Sequence, residues 1–212
     1  MAEKDNCALI LLAAGASTRM GQPKQLLPIR GKPLLRHVVE SAMAEPVSPV
    51  IVVLGANAAE IAPCLVGLPV RIVINPDWPE GMGSSLRRGV EELTRCTPTV
   101  DRVIITLADQ PDILSGHLSQ LIATQHTTDQ AIVASECEGV RGPPVLFAAE
   151  YFPILLTLAG DTGARALLKE HADDVATVPL PSARDLDTLA DYNAYLENNS
   201  PRIPRIDADK NT

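Results

Sequence analysis

The sequence predicts an α/β protein, a Rossmann-like three-layer α/β/α sandwich built on a mostly parallel, twisted sheet. Three observations carry this. The run Ala8–Ala14 is apolar throughout, with the length and continuity of a strand buried on both faces. Short apolar runs then alternate with amphipathic stretches, the pattern of right-handed βαβ crossovers. Finally, 46% of residues are apolar but only 3% are aromatic, so the core is aliphatic side chains and alanine, as suits helices packed on a parallel sheet. The 212 residues fit one domain, placed at residues 1–197, followed by a polar, proline-broken tail without fixed structure at 198–212.

In chain order, Pro33 stands as first residue of a helix in which Leu34, Leu35, Val38, Val39, Ala42 and Met43 recur at helical spacing up to Pro46. A strand over residues 50–54 follows, ending at Gly55. Residues 58–65 read as a short helix, and 71–74 as a strand closed by Asn75-Pro76. Further helices are expected at 85–95, 114–126, 163–171 and 188–198, and further strands at 102–107, 131–134, 145–147 and 175–179. In such sheets the ligand binds beyond the carboxyl ends of the strands, which gathers the loop motifs to one edge.

Charge narrows the ligand. The chain carries a net charge of −8, yet no acidic residue falls between Asn6 and Val39, where Arg19, Lys24, Arg30, Lys32 and Arg36 all lie. That local reversal points to a small polyanion. The acidic balance and the scarcity of aromatics argue against polymeric nucleic acid. No apolar stretch approaches the ~20 residues of a membrane span, and the first residues lack a secretion signal's design, so cytoplasmic residence is expected. The four cysteines have no Cys-x-x-Cys spacing and read as buried small hydrophobes. The four histidines share no spacing with a Ser or Cys nucleophile and read as surface or packing residues.

Gly15, Ala16, Ser17 and Gly21 form a loop of small residues after the first strand, through which backbone N–H groups can approach an anion. It is neither Gly-x-Gly-x-x-Gly nor a Walker P-loop. In Gly81-Met-Gly-Ser-Ser-Leu, Ser84 and Ser85 stand either as caps of the helix behind them or at an N-terminus suited to an anion or to a base and ribose. In Leu107-Ala-Asp-Gln-Pro, Asp109 sits just past a strand, suited either to a turn or to a hard cation that bridges oxygens of an anionic ligand. Asp112 and Asp161 are read as caps of the helices that follow them, and Arg165 either faces solvent or reaches an anionic group of the ligand.

The string Leu-Ala-Ala-Gly-x-Ser-x-Arg-Met-Gly-x-x-Lys-x-Leu-Leu-Pro resembles the signature loop of nucleotidyltransferases, most closely the molybdenum cofactor cytidylyl- and guanylyltransferases of the MocA/MobA type. The Gly-Met-Gly-Ser-Ser-Leu, Leu-Ala-Asp-Gln-Pro, Gly142-Pro-Pro-Val-Leu-Phe, Gly160-Asp-Thr-Gly-Ala-Arg and Asp185-Leu-Asp-Thr-Leu-Ala-Asp-Tyr strings resemble further segments of that family, in the family's order. The likeness spans roughly Leu9 to Tyr195 and implies the nucleotide-diphospho-sugar transferase-like fold. It also implies attack by an acceptor phosphate on the α-phosphate of a nucleoside triphosphate. By it, Ala13, Ala14, Gly15, Arg19, Lys24, Gly83, Ser84 and Ser85 bind the nucleotide, with Arg19 and Lys24 catalytic through charge. Asp109 and Asp187 hold Mg²⁺, Asp187 serving also as a helix cap, while Gly142, Asp161 and Arg165 face the acceptor.

The favoured acceptor is the phosphate of molybdopterin, the product serving a molybdenum hydroxylase or passing through its maturation factor. Leu-Ala-Ala-Gly, in place of Leu-Ala-Gly-Gly, favours CTP over GTP. Pro143 departs from the polar residue or His usual in the family and lacks an N–H for the acceptor. A sugar- or polyol-phosphate acceptor stays open, as does a non-catalytic role in binding and delivering the cofactor. Lys24, on a loop, is expected to be exposed, so that its removal leaves the melting temperature nearly unchanged.

Overall fold

The computed structural model describes residues 6–112, 116–161, 163–182 and 184–199. Strand β1 (Cys7–Ala13) shows why its sequence is apolar at every position. Cys7, Leu9, Leu11 and Ala13 point into one core layer and Ala8, Ile10 and Leu12 into the other, all of them buried. A two-stranded hairpin of β2 (Pro28–Ile29) and β3 (Lys32–Pro33) follows, turned by Arg30 and Gly31, both at positive φ. Then come α1 (Leu34–Met43), β4 (Val50–Leu54), α2 (Ala58–Ile61), β5 (Arg71–Ile74), α3 (Met82–Cys96) and β6 (Arg102–Leu107). The chain continues through α4 (His117–Thr128), β7 (Ile132–Cys137), β8 (Val140–Ala148), α5 (Phe152–Leu155), α6 (Ala164–Glu170), β9 (Val175–Pro179) and α7 (Leu189–Asn199).

The large sheet has the order β5-β4-β1-β6-β8-β7-β9. β5, β4, β1 and β6 pair in parallel, β8 runs antiparallel to both β6 and β7, and β7 pairs in parallel with β9, so six of the seven strands share one direction. Helices α1, α4 and α7 supply the core layer under Leu9 and Leu11, and α3, α5 and α6 that under Ile10 and Leu12. Strand order reverses around β1, which lies between β4 and β6, and the crevice for a ligand opens at their carboxyl ends.

The structure corrects several sequence expectations. Pro33 is not the first helical residue; it precedes α1 with an extended ψ of 140°, paired with Pro28 in the small hairpin. α3 begins three residues before Ser85, because the Gly81–Gly83 backbone packs on residues 159–161. The strands expected at 131–134 and 145–147 are longer and form a hairpin whose two-residue turn, Glu138-Gly139, has φ of 51° and 78°. Asp161 does not cap α6, whose N-cap residue is Gly163. α7 runs on through Asn199, into the segment expected to lack structure; residues 200–212 lie outside the described residues. Cys7 is buried as expected and all four cysteines are unbridged, although Cys64, Cys96 and Cys137 are only half-buried. His117 is buried against Ser135 Oγ, at 2.8 Å, and burial pushes its pKa below the ordinary histidine value.

Asp112 does not cap α4 either: Gly116 is the N-cap residue, and the cap comes from a distant element. Glu45, just after α1, accepts hydrogen bonds from Gly116 N, from Ser119 N at 3.2 Å and from Ser119 Oγ at 2.6 Å. A carboxylate at a helix N-terminus also meets the positive end of the helix dipole. Replacing Glu45 with alanine is therefore expected to lower the stability by about 1–3 kcal/mol, read as a lower urea midpoint at unchanged slope. An unchanged midpoint would show that α4 holds its first turn without Glu45.

Candidate active site

The loop leaving β1 is shaped by its own backbone. Ala14 O accepts from Ala56 N at 3.0 Å, Ser17 sits in the left-handed region at φ 54°, and a short 3₁₀ turn, Thr18–Met20, leads to Gly21 at φ 67°. Among the described residues, the consecutive amides of Gly15, Ala16, Ser17, Thr18 and Arg19 donate no hydrogen bond. Successive free N–H groups in such a turn form a concavity for an anion.

Across the crevice, three segments far apart in the chain converge on one ammonium. Lys24 Nζ donates to Asp109 Oδ2 at 2.7 Å and to Asp187 Oδ1 at 2.8 Å, and Arg19 approaches Asp187 Oδ2 at 3.4 Å. Asp109 is placed by the end of β6. Asp187 is brought to it by the 185–187 segment, which Asp109 O ties down by accepting Leu186 N at 3.0 Å, while Gln110 Nε2 donates to Asp185 Oδ1 at 2.9 Å. Asp187 is not the helix cap. Thr188 and Asp191 cap α7 reciprocally: Asp191 Oδ2 accepts Thr188 N at 2.8 Å and Asp191 N donates to Thr188 Oγ1 at 3.2 Å, which leaves Asp187 free to face Lys24.

The electrostatics follow from burial. The Lys24 side chain is 16% exposed and that of Asp109 18%, so the expectation of an exposed loop lysine is wrong. Burial alone would push the Lys24 pKa down, but Asp109 and Asp187 together outweigh it and hold the ammonium above its ordinary value. Burial pushes the Asp109 carboxyl up, more than Lys24 offsets, and the charge of nearby Asp185 pushes the same way. Asp109 Oδ1 is a buried oxygen with no hydrogen-bond partner among the described residues. The cluster thus holds more carboxylate than one ammonium satisfies.

Between this cluster and α3 lies a cleft of about 310 Å³, lined by Ala13, Ala14, Gly15 and Lys24 on one side and by Trp78, Gly81, Met82 and Ser85 on the other. Glycines build its walls. A Cβ on Gly55 would stand 2.6 Å from Trp78 Cβ and 2.7 Å from Ala14 O, and one on Gly83 would stand 2.8 Å from the backbone of Ala159. Gly83 and Ser84 are not among the lining residues. Ser84 is buried, its Oγ 2.9 Å from the carbonyls of both Asp77 and Gly81, and Asn75 Nδ2 donates to Ser84 Oγ and Ser85 Oγ at 2.9 and 3.0 Å. Neither serine is the N-cap residue, which is Gly81.

An adjoining cavity of about 340 Å³ shares Met82, Asp109 and Asp161 with the cleft and is closed by Pro143, Arg165 and Asp187. The Arg165 guanidinium lies beside Gly142, 3.8 Å from where a Cβ would stand. Arg19, with its side chain 74% exposed, stands at the outer rim near Ser17 and Asp187, outside both cavities. Gln25, Asn75 and Trp78 were not singled out from the sequence; the Asn75-Pro76 turn is the one local signal that marked any of them.

The family of MobA-like NTP transferase domains matches residues 9–175. The chain belongs to this family. This MobA-like NTP transferase is 34% identical over 190 residues to the nicotine blue oxidoreductase of Paenarthrobacter nicotinovorans, covering 85% of this chain and 91% of that protein. It is 31% identical over 169 residues to the purine catabolism protein PucB of Bacillus subtilis (strain 168), covering 76% of this chain and 79% of PucB. Among solved structures it resembles the homologue of Mycobacterium tuberculosis Rv0371c from Mycobacterium sp. strain JC1, with 29% identity, a TM-score of 0.79 and coverage of 92% and 96% of the two chains. A complex of Rv0371c from Mycobacterium tuberculosis H37Rv with manganese superposes with a TM-score of 0.76 at 27% identity, over 90% of this chain and 98% of that one. The NTP transferase is thus a nucleotidyltransferase with the fold of the nucleotide-diphospho-sugar transferases. Among the described residues, no helix is long and apolar enough to cross a membrane.

The Lys24 cluster yields a stability prediction. In Lys24→Met, Asp109 keeps a buried charge without its partner, at a cost of about 2–4 kcal/mol at pH 7, less than for a fully buried pair because solvent shares the charge of half-exposed Asp187. A carboxyl whose folded pKa lies above its unfolded value opposes folding at high pH, and that opposition fades as the pH falls through the folded pKa. The stability gap between wild type and Lys24→Met should therefore shrink on acidification from pH 7, as measured by urea unfolding at several pH values. A gap that stayed constant or widened would contradict the buried Asp109 charge.

Proposed function

We propose that the protein is a cytoplasmic enzyme that transfers CMP from CTP to the phosphate of a molybdopterin-type acceptor and releases pyrophosphate. The observation that carries this reading is a run of five amides, Gly15 to Arg19, without hydrogen-bond partners among the described residues, beside the Lys24–Asp109–Asp187 cluster, with Gly15, Lys24 and Asp109 also lining the cleft. An acceptor phosphate oxygen attacks the α-phosphorus; a P–O bond forms to it, the bond to the β-phosphate bridging oxygen breaks, and that oxygen leaves with pyrophosphate. Such chemistry asks the protein for positioning and charge neutralisation, not for a covalent nucleophile.

In this reading the loop amides and Lys24 hold the triphosphate, and Arg19 neutralises it from the rim. Ala14, Trp78 and Ser85 bound the nucleoside, with Gly83 and Ser84 supporting that wall. Gly142, Asp161 and Arg165 line the way for the acceptor in the adjoining cavity, Arg165 meeting its phosphate. Asp109 and Asp187 are hard oxygen donors that already share one cation, and the unpartnered Asp109 Oδ1 suits a second. They would hold Mg²⁺, which takes one or two carboxylates along with substrate phosphates and supplies charge neutralisation on the phosphate oxygens.

One relative's name, an oxidoreductase, favours a second reading, hydride transfer from a bound dinucleotide. The chain lacks Gly-x-Gly-x-x-Gly after β1, which counts against it. The test is pyrophosphate release on mixing the protein with Mg²⁺, CTP or GTP, and molybdenum-loaded molybdopterin. Release with CTP in preference to GTP is expected. Asp187→Asn should fold normally, since Thr188 and Asp191 keep the cap, and should need at least tenfold more Mg²⁺ for half-maximal rate, as should Asp109→Asn. Absence of pyrophosphate with every acceptor tried, or oxidation of a reduced nicotinamide instead, would overturn the proposal, and an unchanged Mg²⁺ requirement in both variants would remove the metal from these two residues.

A further inference from the structure

Gln25 borders the cleft with no role described so far, yet the residue is 2% exposed and its amide is spent on the loop after β1. Its Nε2 donates to Ala13 O at 2.9 Å and to Gly15 O at 3.1 Å, while its Oε1 accepts from Ser17 Oγ at 3.3 Å. Ser17 Oγ in turn accepts Lys24 N at 3.1 Å. One amide therefore joins the end of β1, the middle of the loop, the residue held at φ 54°, and the segment that carries Lys24. A left-handed backbone is disfavoured for a residue with a Cβ and persists where surrounding contacts impose it. Only an amide side chain of this length offers two N–H donors for two carbonyls and an oxygen for a hydroxyl; glutamate loses the donors and methionine loses all three bonds.

We propose that Gln25 is a positioning residue for the triphosphate. Acting through the backbone, it holds the Gly15–Arg19 amides in one concave arrangement at a fixed distance from Lys24. The inference rests on the reading of this loop as the phosphate site. Polar atoms buried only for packing would affect all ligands of the cleft alike, whereas a device that shapes the loop acts on the phosphates beyond the first. Monophosphate and triphosphate affinities therefore separate the two.

The experiment is isothermal titration of the full chain with CTP and with CMP, and in parallel with GTP and GMP, all in Mg²⁺, at a temperature where circular dichroism shows every variant folded. Gln25→Met and Gln25→Glu are expected to weaken triphosphate binding at least tenfold while monophosphate binding stays within threefold of wild type. Ser17→Ala, which leaves Gln25 in place but removes the hydroxyl through which it reaches the turn and Lys24 N, is expected to weaken triphosphate binding three- to tenfold with monophosphate binding unchanged, and decides for or against this network if the Gln25 variants do not fold. Equal losses for mono- and triphosphate, or triphosphate affinity within threefold of wild type in these variants, would overturn the inference. A wild type that binds triphosphate no more tightly than monophosphate would overturn the phosphate-site reading itself, before any variant is compared.

Discussion

The arrangement depends on the Lys24 ammonium held between Asp109 and Asp187. Asp109, buried with the ammonium at 2.7 Å, attracts it far more strongly than it would in water, and half-exposed Asp187 at 2.8 Å adds to this. Burying these charges also costs desolvation, so loss of the Lys24 ammonium leaves the buried Asp109 charge without compensation. Its consequence for the chain is architectural. A loop after the first strand, the end of the sixth and the segment before the last helix are drawn to one point at the edge where the strand order reverses.

Around that point, the walls are set by how closely backbones approach one another. Gly55 lets Trp78 rest against Ala14 O, and Gly81 and Gly83 let the start of α3 lie on residues 159–161. The first contact fixes the mouth of the cleft beside the β1 loop. The second ties α3 to the stretch that also carries Asp161, so the cleft and the adjoining cavity have a common partition at Met82, Asp109 and Asp161. Two ligand spaces that meet at a charged cluster suit direct transfer of a group from one to the other, with no need to store it on the protein.

Much of this was legible in the sequence, for identifiable reasons. The strands at 50–54, 71–74, 102–107 and 175–179 match the expected bounds, because short runs rich in Val and Ile, closed by Gly, Asn, Pro or Asp, leave little choice. Asp109, Lys24 and Asp187 were singled out and do converge. The hairpin of β7 and β8 was not foreseen, since Glu138 at φ 51° takes a place usually marked by Asn or Gly. Asp187 was assigned a cap that Thr188 and Asp191 provide, a competition between neighbouring acids that spacing alone does not resolve. Asn75 and Gln25 lie in a turn and a loop whose local signals do not say that their side chains turn inward, while Glu45 acts on residues 71 and 74 positions away, which nothing beside it announces. The burial of Lys24 was missed for the same reason, its partners lying 85 and 163 positions away.

The central claim is that Asp109 and Asp187 form a cation site whose occupancy is linked to a triphosphate held by the β1 loop. Manganese binding, followed by the loss of the free-ion electron paramagnetic resonance signal, reads this directly. In wild type, Mn²⁺ should bind at least tenfold more tightly with saturating CTP than without it, after correction for Mn²⁺ bound by free CTP, and the gain should disappear in Asp109→Asn. Mn²⁺ binding that is indifferent to nucleotide, or a nucleotide-linked gain that survives Asp109→Asn, would contradict the account.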